Sequence, residues 1–202
     1  MALFSVHPTK FDRVVADEVA AHTNPAIEEA AEIITWSADP HVVCLAAAAW
    51  WIYCRNAPAR QRLISDHVLV CSLVASILPH GLKALIDEER PDRQTCIGHR
   101  RGVPWSGKPY DAFPSGHAVN IGVMASAATL LPPRMRAAVW GFGGLVATTR
   151  VALLAHWPSD VLAGVALGAL IERLARRFTL GQSAGRQGQR PNGLGSRTRP
   201  RG

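Results

Sequence analysis

Charge is scarce in this 202-residue chain, and what there is lies bunched. Only 18% of residues are Asp, Glu, Lys or Arg. None of them falls in 40–54, 67–82, 112–133, 137–149 or 161–171. A hydrocarbon core asks for about 20 mainly apolar residues in a helix. The stretch 112–133 meets that alone, and the others meet it once flanking polar residues lie at an interface or line a pocket. Two classes remain: a small membrane protein, or a soluble bundle of buried helices. Paired cysteines are also missing. Cys44, Cys54, Cys71 and Cys96 form no C-x-x-C pair and no metal-ligand spacing, so they read as small buried hydrophobes. Residues 1–10 lack an apolar core, and no cleavable signal peptide is expected. Aromatic residues do not interleave with the basic ones. A nucleic-acid partner is therefore excluded, despite a net charge of +7.

What is present divides the chain into three parts. Residues 1–37 form an N-terminal segment whose 11–36 stretch carries seven charged side chains and cannot span a bilayer. Val15, Val19, Ile27, Ile34 and Trp36 recur at helical spacing, interrupted by Asn24-Pro25. One or two amphipathic helices at a membrane surface are predicted, against ordinary surface helices on a soluble core. Residues 38–178 form the core, with predicted spans at 40–54, 63–82, 115–131, 137–156 and 159–175. Residues 179–202 are rich in Gly, Arg and Gln and are predicted to be a disordered tail. The fold class is all-α: an integral-membrane bundle of about five transmembrane helices plus an N-terminal surface helix. The loop 55–62, the turn 132–136 and the tail carry three, two and five arginines. The positive-inside bias makes their common face cytoplasmic. The loop 83–113 then lies on the outer face although it too is basic, which suggests a task other than topology.

Three clusters fall on that outer face. In "KALIDEERP", Lys83 and Arg90 stand seven residues apart, two helical turns, with Pro91 ending the helix. Such a pair either binds a dianion or snorkels. The acidic run 87–89 reads as a solvated helix end. In "PSGH", Ser115 is an N-cap candidate and Gly116 permits close backbone approach. Free N–H groups there favour an anion, and His117 sits in the first turn. In "RVALLAHWPSD", Arg150 is a charge inside an apolar helix, a functional hypothesis by default. Asp160, four residues after His156, can accept a hydrogen bond from one imidazole nitrogen. The other nitrogen is then free for attack.

The order Lys-x6-Arg-Pro, Pro-Ser-Gly-His, Arg-x5-His-x3-Asp resembles the three-part signature of the type 2 phosphatidic acid phosphatase superfamily. Every defining position between Lys83 and Asp160 is filled, with Thr149 where many members have Ser. The resemblance implies that Lys83, Arg90 and Arg150 clamp a phosphoryl group, with Ser115 and the Ser115–Gly116 backbone adding donors. His156 would be the nucleophile, Asp160 its orienting partner, and His117 the acid and then the base. Fixed cations would make a metal unnecessary, and no cofactor is implied. The expected partners are the membrane and a lipid phosphate, met at the outer face of a bacterial inner membrane. Trp105, Trp157 and Phe113 are candidates for lining the lipid's way in. The oligomeric state is not encoded in these patterns. Vanadate-dependent haloperoxidases resemble the same motif set, and a lipid phosphotransferase or an idle inherited site are further alternatives.

Overall fold

The computed structural model describes residues 3–22, 24–95 and 110–181. Cys96, Trp105 and the tail beyond Gly181 lie outside these residues. Among the described residues, eight α-helices and two short strands follow in the order β1 (Phe4–Ser5), α1 (Lys10–His22), α2 (Pro25–Trp36), α3 (Pro40–Tyr53), α4 (Ala59–Lys83), β2 (Ile86–Asp87), α5 (Pro91–Thr95), α6 (Gly116–Ala127), α7 (Pro133–Ala152) and α8 (Pro158–Thr179). The chain is mostly helical, as its apolar runs predict. All five apolar runs form helices. Among the described residues, α4 is the one helix long and apolar enough to cross a membrane by length and composition. Large apolar side chains such as Leu45, Ile77, Phe142, Leu145 and Leu162 are exposed around α3, α4, α7 and α8. That much outward apolar surface needs a nonaqueous or protein cover.

The helix starts follow local chemistry. Asn24 caps α2 by accepting from Ile27 N at 3.0 Å, with Pro25 at the first helical position. Asp39 caps α3, followed by Pro40 in the same role. In α1, Thr9 and Asp12 form a reciprocal cap: Asp12 N donates to Thr9 Oγ1 at 3.1 Å and Thr9 N donates to Asp12 Oδ2 at 2.8 Å.

α6 and α8 pack closely along most of their length, and glycines permit it. A Cβ on Gly168 would stand 2.0 Å from Val119 O, and one on Gly122 would stand 2.2 Å from Val165 O. At Gly164 the added carbon would meet Ser115 O and Ala118 Cβ, both at 2.8 Å. The two backbones touch, as small residues allow between apolar helices. This contact carries the start of α6 to the start of α8. Cys71 and Ala75 of α4 complete that core with Val119, Val123 and Ile171.

α1 and α2 do more than lie on a surface. Ala16 of α1 packs with Ala112, Leu154 and Trp157, and Ala31 of α2 packs with Leu153 and Ala155. Asp12 also reaches the first turn of α8, accepting from Ser159 N and Ser159 Oγ, both at 2.9 Å. Burial pushes its pKa up, but the hydrogen bonds from Thr9 and Ser159 outweigh this and hold it below 3.8.

One predicted element is different. The helix reaching Lys83 does not run on to Arg90. It stops at Lys83, and Ile86–Asp87 pair in parallel with Phe4–Ser5. Three acids in succession at a helix C-terminus would face the negative end of the helix dipole. Pro91 disfavours helical geometry at Arg90 and instead opens α5. Lys83 and Arg90 are therefore not two turns of one helix.

Candidate active site

The loops at one end of α4, α6, α7 and α8 bring the three clusters together. Lys83 ends α4. Arg90 lies past β2, where its guanidinium donates to Asp111 Oδ1 from Nε at 3.0 Å and from Nη2 at 2.8 Å. Lys83 Nζ stands 3.7 Å from Asp111 Oδ2. A carboxylate absent from the predicted site thus unites the two cations that a helix was expected to align. Arg90 Nη1 also donates to Ala155 O at 3.4 Å, next to His156.

Ser115 caps α6 as predicted. Its buried Oγ accepts from Ala118 N at 3.4 Å, a long bond that leaves its own proton to donate elsewhere. Gly116 and His117 open the helix, where backbone N–H groups have no intrahelical acceptor. His117 is half-buried within the field of Arg150, Lys83 and Arg90.

Arg150 is buried in the last turn of α7. Its Nη1 donates to Thr35 Oγ1 of α2 at 3.0 Å. Its Nε has no hydrogen-bond partner among the described residues. A buried guanidinium N–H without an acceptor is costly, and a phosphoryl oxygen is the kind of acceptor it suits. Beyond α7 the chain reverses at Leu154, which has φ 51°. Non-glycine residues adopt this left-handed geometry at about 1–2 kcal/mol. The buried Leu154 side chain and the bond from Asp92 N to Leu154 O at 3.1 Å hold it there.

His156 follows that reversal and is 2% exposed. Its Nδ1 lies 2.7 Å from Ala112 O. A carbonyl can only accept, so Nδ1 carries the proton and Nε2 keeps its lone pair. The orienting bond predicted from Asp160 is not formed. Asp160 Oδ2 stands 3.9 Å from Nδ1 and instead accepts from Trp157 N at 2.9 Å. At the third position of α8 its carboxylate is drawn to the helix's free N–H end. It acts on His156 as a nearby charge, while the Ala112 carbonyl takes the directional bond.

Two further expectations change. Trp157 is fully buried and donates from Nε1 to Glu89 O at 2.8 Å, so it lines no opening; Phe113 is half-buried. Glu88 is 1% exposed, not solvated. Asp111, Glu88, Ala112 and Thr35 carry no motif spacing. The one available signal was Asp111, an isolated acid beside an uncharged run.

The chain belongs to the PAP2 superfamily, which it matches over residues 66–183. It is 36% identical over 107 residues to a lipid A 1-phosphatase of Rhizobium johnstonii, a match covering 52% of this chain and 44% of that protein. It is also 36% identical over 106 residues to a lipid A 1-phosphatase of Rhizobium etli, covering 52% and 46%. The matched region thus spans under half the length of these relatives. The fold is similar to the crystal structure of Aquifex aeolicus LpxE, with a TM-score of 0.64 and 14% identity over 84% of this chain and 96% of that one. A transmembrane PAP2-type phosphatidylglycerolphosphate phosphatase from Bacillus subtilis has a TM-score of 0.59 and 19% identity, covering 91% and 88%.

Proposed function

We propose that this protein is a membrane lipid phosphatase that removes a terminal phosphate without a metal, through a phosphohistidine on His156. The carrying observation is the Nδ1–H bond to Ala112 O, which leaves Nε2 nucleophilic among Lys83, Arg90 and Arg150. Nε2 attacks phosphorus, an N–P bond forms, and the bond from phosphorus to the lipid oxygen breaks. His117 gives its proton to that leaving oxygen. Neutral His117 then takes a proton from water, whose oxygen attacks phosphorus. The N–P bond breaks, inorganic phosphate leaves, and His156 regains its lone pair.

During the first step the imidazole of His156 gains positive charge. Asp160, 3.9 Å from Nδ1, stabilises that charge without taking the proton. The three cations meet the charge on the phosphoryl oxygens, and the unpartnered Arg150 Nε supplies a fixed donor. The Ser115 hydroxyl and the first N–H groups of α6 add neutral donors.

In this reading residues 38–178 are the catalytic unit, with α3, α4, α6, α7 and α8 as five spans. Residues 1–37 lie at the interface and 179–202 form a tail. The basic loops face the cytoplasm and the site faces the periplasm or exterior. The substrate is a phosphorylated membrane lipid. The likeness to lipid A 1-phosphatases supports a glycolipid phosphate as the first substrate to test. The test is phosphate release by the full chain in detergent from a panel of lipid mono- and diphosphates, with and without a chelator. Release that is unaffected by chelation is expected. Loss on chelation overturns the metal-free mechanism, and wild-type turnover by folded His156→Ala overturns the nucleophile.

A further inference from the structure

Glu88 sits where the three clusters meet. Its backbone grips the segment that orients the nucleophile: Glu88 N donates to Tyr110 O at 3.2 Å, and Ala112 N donates to Glu88 O at 3.1 Å. Ala112 O in turn holds His156 Nδ1. The next residue, Glu89, accepts from Trp157 Nε1, and Arg90 follows. Glu88 therefore belongs to the frame on which two clamp residues and the nucleophile are mounted.

Its side chain is unusual. It is buried, and neither Oε1 nor Oε2 has an N–H or O–H donor among the described residues. Asp160 Oδ1 is buried and lacks a donor as well. Trp157 joins the two segments, donating from Nε1 to Glu89 O at 2.8 Å and from its backbone N to Asp160 Oδ2 at 2.9 Å, and so brings the Glu88 and Asp160 carboxyl groups into each other's surroundings. Two ionised carboxylates cannot share such surroundings, because like charges in a low-dielectric site repel and neither has a proton to donate. One proton between them resolves two of the three deficits: it gives Asp160 Oδ1 a donor and turns one Glu88 oxygen into a donor with an acceptor, and it leaves the other Glu88 oxygen uncharged. A metal is a poorer account, since no described group of three His, Cys, Asp or Glu residues is arranged to hold one.

We propose that Glu88 is a positioning residue, kept as a neutral carboxylic acid whose O–H donates to Asp160 Oδ1. Asp160 then stays ionised and fixed on both oxygens, by Trp157 N on Oδ2 and Glu88 on Oδ1. The assignment of the proton follows the surroundings. Burial, the bond to Asp160 and the negative charges of Asp160 and Asp12 push Glu88 up to about 9. Asp160 has the Trp157 N–H and the positive end of α8 to favour its charge. The role rests on the reading of His156 as nucleophile: an aimed Asp160 stabilises the imidazolium formed on attack.

The test uses full-length protein in detergent micelles. Infrared difference spectra of wild type against Glu88→Gln at neutral pH should contain the carbonyl stretch of one protonated carboxylic acid. The same band should persist in His156→Ala. In phosphate release from dioctanoyl phosphatidic acid, Glu88→Gln should keep kcat within about threefold, because an amide N–H replaces the O–H donor. Glu88→Leu should lose kcat by about 30-fold with little change in KM, about 2 kcal/mol of transition-state stabilisation. Absence of the protonated-acid band overturns the proposal. So does a Glu88→Gln enzyme as slow as Glu88→Leu, or a Glu88→Leu enzyme as fast as wild type. Activity in His156→Ala would instead overturn the nucleophile, while the infrared band still reports on the carboxyl pair.

Discussion

The same three helices carry a polar cluster at each end, and the two are built differently. At one end are Lys83, His117 and Asp160, on α4, α6 and α8. At the other, about 24 Å along α4 at 1.5 Å per residue, His67 Nε2 meets Glu172 Oε1 at 2.9 Å, and His67 Nδ1 meets Thr179 Oγ1 at 2.7 Å. Glu172 also accepts from Ser126 Oγ at 2.6 Å and from Arg176 Nε at 2.8 Å. Every polar atom of His67 and Glu172 has a partner. Among the described residues, the first end keeps Arg150 Nε without an acceptor and crowds three cations together. A closed network holds helices in place, whereas an incomplete one is suited to a ligand that completes it.

The largest effects should separate the two ends. His156→Ala should abolish phosphate release, by roughly three orders of magnitude or more, with the helical circular dichroism intact. Glu172→Ala should do the reverse. Breaking a buried pair costs about 3–5 kcal/mol, so its Tm should fall by about 10 °C. Its turnover per folded molecule in the cold should stay near wild type. A stable but inactive Glu172→Ala would erase the distinction.

Next comes Arg150→Lys, which keeps the charge but loses the fixed planar donors. Phosphate release should drop by about 10²–10³-fold, with little loss of Tm. Gly168→Leu lies between the ends on α8 and should harm both, because its side chain displaces α6 from α8. Overpacking costs about 1–3 kcal/mol, and Tm and turnover should fall together. A loss of Tm alone would show that the site does not depend on that helix contact.

The smallest effect is expected at Asp12→Asn. Asp12 has a lowered pKa in the folded protein. Its contribution is therefore complete above about pH 4 and lost as pH falls through the folded value. Wild type should exceed the variant in stability at neutral pH by about 1–2 kcal/mol, and the gap should close in acid. A gap that does not depend on pH would remove the charge from that account.

The eight candidate site residues stand out in the sequence because each is marked locally, Asp160 by its place four residues after His156 and two after Pro158. Lys83, Arg90, Arg150 and His156 are polar groups beside apolar runs, and Ser115, Gly116 and His117 form a recognisable helix start. The helix after Lys83 was misread because seven-residue spacing looks the same whether the chain stays helical or turns out to pair with β1. The sequence by itself determined the helices, their caps and the cast of charged residues, since these depend on neighbours within one or two turns. Only the tertiary structure decided how they are used. It set Asp111 between two cations, buried the Glu88 side chain, and gave His156 the carbonyl of Ala112, 44 residues away. Which donor meets which acceptor depends on how closely α6 and α8 approach and where the reversal at Leu154 points, and no spacing along the chain records that.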